Sequence, residues 1–375
     1  MIGLASSNAF AHMLRLDAGL ISSGLFGYNS ILVGLALATF HGDSWSWPLV
    51  LATVFISVLS ALLFVTLGRL LVPYKVPPFT LPFNLALFIY LVAAFNMLRL
   101  DNSPVRPPAL PQNTTQKVEM PSGLVFFEAV FKGVGQVWLA DKTAAGVIIT
   151  AGIALCSPVT AFASVMGSLV GTATALVTGA PVSAIASGLY GYNSSLTFGC
   201  IFGMWFCPSA VTFGVSTFAA ATATVMTDFV SGMFAPYGLP AATLPFCFCA
   251  LLFDLIQGAT PMMMPVPLAQ MTVPEDHLER DQTIRRALRA MAAIIKDEKS
   301  GDLFRFYMRS AGKMSADKMR RDEDQASRLF HALNENGDSI LEVEEFGSML
   351  DAAVHRPPSC TAILAGPRAL LLLRA

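Results

Sequence analysis

Charge is distributed very unevenly along the chain. Of the 49 Lys, Arg, Asp and Glu residues, 16 lie at or before Val273 and 33 lie in the 102 residues from Pro274 onward. A stretch of 273 residues with about one charge in seventeen cannot clothe itself for water, since soluble domains carry about a quarter of their residues as charged ones. Over the whole chain 54% of residues are hydrophobic and 13% charged. These proportions exclude an ordinary soluble enzyme and a disordered chain, and a net charge of −1 gives no field for nucleic acid. The apolar runs are continuous rather than alternating, which excludes a β-barrel. The expected fold class is all-α: a polytopic helical membrane body followed by a small charge-rich helical tail.

A spanning helix needs about 20 apolar residues. Runs of that kind occupy 20–40, 47–72, 78–98, 143–157 continuing past Pro158 to 179, 185–204, 208–234 and 240–257. The five cysteines Cys156, Cys200, Cys207, Cys247 and Cys249 lie within or at the ends of these runs and read as packing residues; with Cys360 they form no zinc or disulfide pattern. The N-terminus lacks the basic start of a signal peptide, so insertion through the first true span is expected. Residues 99–121 are polar and rich in proline, and contain the sequon Asn113-Thr114-Thr115, which reads as an extracellular, glycosylated loop. The segment 122–141 is apolar but carries Glu128, Lys132, Gln136 and Asp141, as a helix dipping partway into the membrane would. Five spans then lead to Arg280, Arg285, Arg286 and Arg289, which the positive-inside rule places in the cytoplasm.

The body repeats itself. Gly24-Leu25-Phe26-Gly27-Tyr28-Asn29-Ser30 returns as Gly188-Leu189-Tyr190-Gly191-Tyr192-Asn193-Ser194, at an offset of 164. Thr80-Leu81-Pro82-Phe83 returns as Thr243-Leu244-Pro245-Phe246, at an offset of 163. Repeats with an odd number of spans must insert in opposite senses, the inverted-repeat arrangement of channels and transporters.

These paired motifs, together with GVGQVWLAD and the segment PLAQMTVPEDH at 267–277, resemble those of the urea transporter family over about residues 1–277. The resemblance implies passive passage of urea, in a homotrimer with one pore per subunit, each half of the fold having a re-entrant helix and five spans. It assigns Tyr28, Leu32, Tyr190, Tyr192 and Leu196 to a flat slot, and Thr80, Thr243, Gln136 and Val137 to a polar edge facing the four N–H groups of urea. No cofactor is implied for transport, and the absence of a P-loop pattern argues against ATP coupling. No nucleophile–base arrangement suggests an enzyme.

Departures from the family pattern accompany the match. Only 23 residues precede Gly24, whereas 52 positions separate Gln136 from Gly188, so the first repeat is shorter than the second and a truncated or degenerate pore is an open alternative. Asp228 and Asp254 stand in apolar runs, where carboxylates suggest function. The expected organisation is an incomplete first repeat at 1–98, the loop at 99–121, a second repeat at 122–265, a post-membrane segment at 266–277, a soluble tail at 278–356 and an unstructured end at 357–375.

The tail resembles an EF-hand over 322–354. Asn334, Asn336, Asp338, the backbone oxygen of Ile340 and Glu345 fall at loop positions 1, 3, 5, 7 and 12, so calcium is the expected ligand there. Asn334 in place of Asp and Ser339 in place of Gly both weaken such a site. Two rival readings therefore stand beside a plasma-membrane urea channel with a cytoplasmic, calcium-modulating tail. One is a membrane-tethered calcium-binding module with a dead channel. The other is a channel for a different small neutral solute, such as an amide, ammonia or water.

Overall fold

The computed structural model describes residues 1–40, 46–94, 121–256, 260 and 262–283. Among these the architecture is all-α, with only isolated β-bridges besides helices. They fall into two compact units: Met1–Ile201 with Gly214–Leu255, and Phe202–Phe213 with the residues from Ile256 onward. The sequon at Asn113 and the EF-hand-like residues Asn334 to Glu345 lie outside the described residues.

The helical unit opens with α1 (Ile2–Met13), α2 (Ala18–Ser22), α3 (Tyr28–Phe40), α4 (Trp47–Leu71) and α5 (Leu81–Ala94). After the loop come α6 (Gly123–Gln136), α7 (Thr143–Cys156), α8 (Pro158–Val177), α9 (Val182–Ala186), α10 (Tyr192–Ile201), α11 (Ala210–Phe234) and α12 (Leu244–Asp254). Three of these helices, counting the short 3₁₀ turns that extend two of them, are long and apolar enough to cross a membrane: Trp47–Tyr74, Pro158–Val177 and Ala210–Tyr237. Trp47, Leu51, Phe55 and Leu62 form an exposed apolar stripe along α4, as Phe218, Val225, Phe229 and Met233 do along α11. Stripes of this kind suit a lipid-facing surface of a multi-pass membrane protein.

Local chemistry sets the helix starts. The Ser46 and Ser122 hydroxyls accept the Leu49 and Val125 amides at 3.3 and 3.4 Å. The Ser157 hydroxyl accepts the Thr160 amide at 3.0 Å, and Pro158, which has no N–H to donate, ends α7 and begins α8.

The apolar runs at 20–40 and 185–204 are not single spans. Each is a short helix, a turn and a longer helix, because Gly24 and Gly188 take φ of 77° and 78°, which an α-helix cannot contain. The runs at 78–98 and 240–257 start their helices late, at Leu81 and Leu244, because Phe79 and Ala242 are left-handed at φ 49° and 47°.

The core of the first half joins Leu32, Val33 and Leu37 of α3 to Ile56 of α4 and to Phe83, Leu87 and Leu91 of α5. In the second half α8 lies directly on α10. A Cβ on Gly167 would stand 2.6 Å from the Phe198 side chain, so glycine is what permits this approach.

In the other unit, 264–266 pairs with 205–207. The Val266 amide donates to Trp205 O at 2.7 Å and the Cys207 amide to Met264 O at 2.9 Å. A helix over 274–283 follows.

Candidate functional site

The repeated motifs fold into two matching clamps. In the first, the Tyr28 hydroxyl and the Asn29 amide both donate to the carbonyl of Phe79, the Asn29 bond being 3.3 Å. The Asn29 side-chain oxygen accepts the Phe83 amide at 3.3 Å. In the second, Tyr192 and Asn193 donate to the carbonyl of Ala242 at 2.8 and 3.3 Å, and the Asn193 oxygen accepts the Phe246 amide at 3.4 Å. Each asparagine thus brackets one threonine, with a bond to the residue before it and another to the first turn of the helix after it.

The correspondence reaches beyond the motif. The Ser30 hydroxyl donates to Ser57 O at 3.1 Å and the Ser194 hydroxyl to Ala220 O at 2.8 Å. The carbonyls bearing two donors belong to the left-handed residues Phe79 and Ala242, a conformation that non-glycine residues hold at a cost of about 1–2 kcal/mol. The paired donors offset that cost and fix the direction in which the next residue points.

The two threonines meet. Thr80 Oγ1 and Thr243 Oγ1 are 2.7 Å apart, and both residues are buried. Asn84 surrounds the contact: its Nδ2 donates to Thr243 Oγ1 at 3.1 Å and to Thr80 O at 2.9 Å, and its Oδ1 accepts the Thr243 amide at 3.0 Å. Cys247, which stands where Asn84 does at the repeat offset, places its sulfur 3.2 Å from Thr80 Oγ1. Phe79 and Phe246 close one side with an edge-to-face contact at 5.7 Å. The residues of this centre are neutral, and they offer hydroxyl, amide and thiol groups beside an aromatic pair. The threonines satisfy one another and do not wait for a solute to do so.

The other expected site residues occupy different places. Leu32 is buried in the first-half core, and its counterpart Leu196 is half-buried. Gln136 donates to Ser187 O at 2.9 Å and Lys132 to Ala186 O at 3.1 Å, so α6 grips the turn that precedes Tyr192. Val137 caps the C-terminus of α6, and Glu128 pairs with Lys132 at 3.8 Å. The Tyr190 hydroxyl donates to Asp228 Oδ1 at 2.7 Å. Asp254 is fully buried at the end of α12, and neither of its oxygens has a hydrogen-bond partner among the described residues.

Asn29, Asn193 and Asn84 were not among the residues expected from sequence. Asn29 and Asn193 carried a signal, being identical in both motif copies. Asn84 carried none, because the second copy has Cys247 there. Among the described residues no group of three His, Cys, Asp or Glu could hold a metal ion.

The urea transporter family matches residues 1–258. The chain is 32% identical over 281 residues to urea transporter 1 of Ovis aries, covering 74% of this chain and 72% of that protein. It is 33% identical over 283 residues to urea transporter 1 of Rattus norvegicus, with the same coverage.

Proposed function

Because this chain belongs to the urea transporter family, we propose that its helical unit passes urea passively across a membrane. The observation that carries this reading is the contact of Thr80 with Thr243, held from both sides by the Tyr–Asn clamps. Urea is flat and neutral, with four N–H donors and one carbonyl acceptor. A passage for it needs acceptors at an edge and apolar faces beside them, and it needs no fixed charge. The threonine hydroxyls, with Phe79 and Phe246 beside them, match that need. A hydroxyl already bonded to its neighbour can accept from a passing N–H through its remaining lone pair. Urea then exchanges one set of hydrogen bonds for another, and no buried group is left unpaired at a cost of about 1–3 kcal/mol.

In this reading Tyr28 and Tyr192 orient the slot walls with their hydroxyls tied down, and Leu32 and Leu196 set its apolar side. Tyr190 stands beside the walls. Gln136 and Val137 act at the α6 end, where Gln136 holds the turn carrying Tyr192. The two repeats insert in opposite senses, residues 1–98 and 122–265 forming the two halves. The resemblance further supports a homotrimer in the plasma membrane with the tail beyond 278 in the cytoplasm.

The test is urea flux into proteoliposomes followed by light scattering, for the chain as given beside Thr243→Val and Tyr192→Ala. Saturable flux that both substitutions reduce supports the proposal. Folded protein with no flux above empty liposomes overturns it.

A further inference from the structure

The second unit contains a buried histidine with both ring nitrogens in use. His277 lies in the helix over 274–283 and is 2% exposed. The Thr272 amide donates to its Nε2 at 2.9 Å, and its Nδ1 stands 2.6 Å from Gly203 O. A backbone N–H can only donate and a carbonyl can only accept. The ring must therefore be neutral with its proton on Nδ1. The third tie is the Cys207 thiol, which donates to His277 O at 3.4 Å. Pro274 packs against Gly203, where a Cβ would stand 2.6 Å from the proline ring and where φ is 110°. The loop at 202–209 leads from α10 into α11, and the helix over 274–283 leads into the charged tail. His277 joins these two segments.

We propose that His277 is a proton-operated latch between the 202–209 loop and the post-membrane segment 271–283. The neutral ring closes the latch. A second proton has to go to Nε2, where it would point at the Thr272 N–H, so the two groups would oppose one another as donors. The closed arrangement is thus held at neutral and higher pH and released as pH falls.

The charged or titratable side chains of this unit, among the described residues, are Cys207 from the loop and Glu275, Asp276, Glu279, Arg280 and Asp281 from the helix that bears His277. The stretch 262–273 contributes none. Asp281 is buried and lies one helical turn after His277, the spacing at which side chains on a helix meet. Arg280 is the only cation in the set. A histidine is suited to this task because imidazole ordinarily titrates between about pH 5 and 8.

The experiment is hydrogen exchange by mass spectrometry on the full chain in lipid nanodiscs, with rates corrected for the intrinsic effect of pH. Protection in peptides spanning 262–283 is expected to fall about tenfold between about pH 7.5 and about pH 5.5, the size of one lost hydrogen bond. His277→Asn keeps a donor for Gly203 O and cannot titrate, so its profile is expected to be flat. A flat wild-type profile, or an unchanged fall in the variant, overturns the latch. A second readout needs a folded wild type only. Carbon shifts of labelled histidine must show one ring in the Nδ1–H form at about pH 7.5 that converts to the charged form on acidification. A ring in the Nε2–H form at His277 overturns the proposal. Neither readout involves solute flux, so failure of the latch and failure of urea passage are separate results.

Discussion

In the first half of the helical unit, a Cβ built on Gly24 would meet nothing within 4 Å. At the matching position in the second half, a Cβ on Gly188 would stand 2.6 Å from the Gly133 nitrogen and 2.8 Å from the Lys132 side chain. Both glycines have the same φ, and both precede the same Tyr–Asn clamp. The difference is α6, which grips the second turn through Lys132 and Gln136. Clamp geometry is therefore a property of the motif itself, since it forms with α6 present and without a described equivalent of it. What α6 adds is confinement of the turn ahead of the clamp. The halves also differ at their centres, with Asn84 on one side and Cys247 on the other.

The largest expected effect comes from challenging that confinement. Gly188→Ala is expected to destabilise the protein by more than about 3 kcal/mol, combining the left-handed strain with overlap against the α6 backbone. Gly24→Ala carries only the strain, about 1 kcal/mol. Thermal unfolding of the two variants in the same detergent compares them. Equal losses would break the claim that α6 is what separates the halves.

Next come the clamps. Asn29→Ala and Asn193→Ala each leave a buried amide without its side-chain acceptor and take one of two donors from a carbonyl, at an expected cost of about 2–3 kcal/mol. Asn193 also donates to Thr227 Oγ1 at 3.2 Å, so its loss is expected to cost more. The same unfolding measurement ranks the pair, and a larger loss at Asn29 would reverse the ranking.

Thr80→Val and Thr243→Val are expected to slow urea passage by about tenfold each, the equivalent of one hydrogen bond. Because the two hydroxyls share one contact, the double variant is expected to fall well short of the product of the singles. Stopped-flow light scattering on all three decides it, and strict additivity would show that the threonines act separately.

The smallest effect is at Tyr190→Phe, which converts the second motif to the residue found in the first. It removes the bond to Asp228 and is expected to cost about 1 kcal/mol in stability without abolishing flux.

Much of this architecture could be read from the sequence, for identifiable reasons. Apolar runs report helices because burial in lipid leaves few alternatives, and both repeat offsets reappear in the hydrogen bonds. The breaks within those runs could not be seen. Hydropathy averages over a span, and Phe79 and Ala242 adopt left-handed backbone with no glycine to announce it. Gly24 could not be told from Gly34 by residue type, yet only Gly24 has positive φ. At the site, the expected slot needs flat walls, which only its aromatic side chains announce in the sequence. The residues that fix the geometry are asparagines, visible only as an identity repeated in both copies. The bond from the Gln136 amide to Ser187 O, which ties α6 to the turn before Tyr192, has no signal in the sequence.

The contact between Thr80 and Thr243 has an electrostatic consequence. α5 and α12 begin one residue after these threonines, so two helices present their amino ends to the same point. An amino end behaves roughly as half a positive charge. Two of them together repel a sodium ion, a proton or an ammonium ion while exerting little net force on a neutral molecule. A barrier to cations can thus arise where these two amino ends meet without an arginine or lysine to form it, and it is not removed by replacing any one side chain.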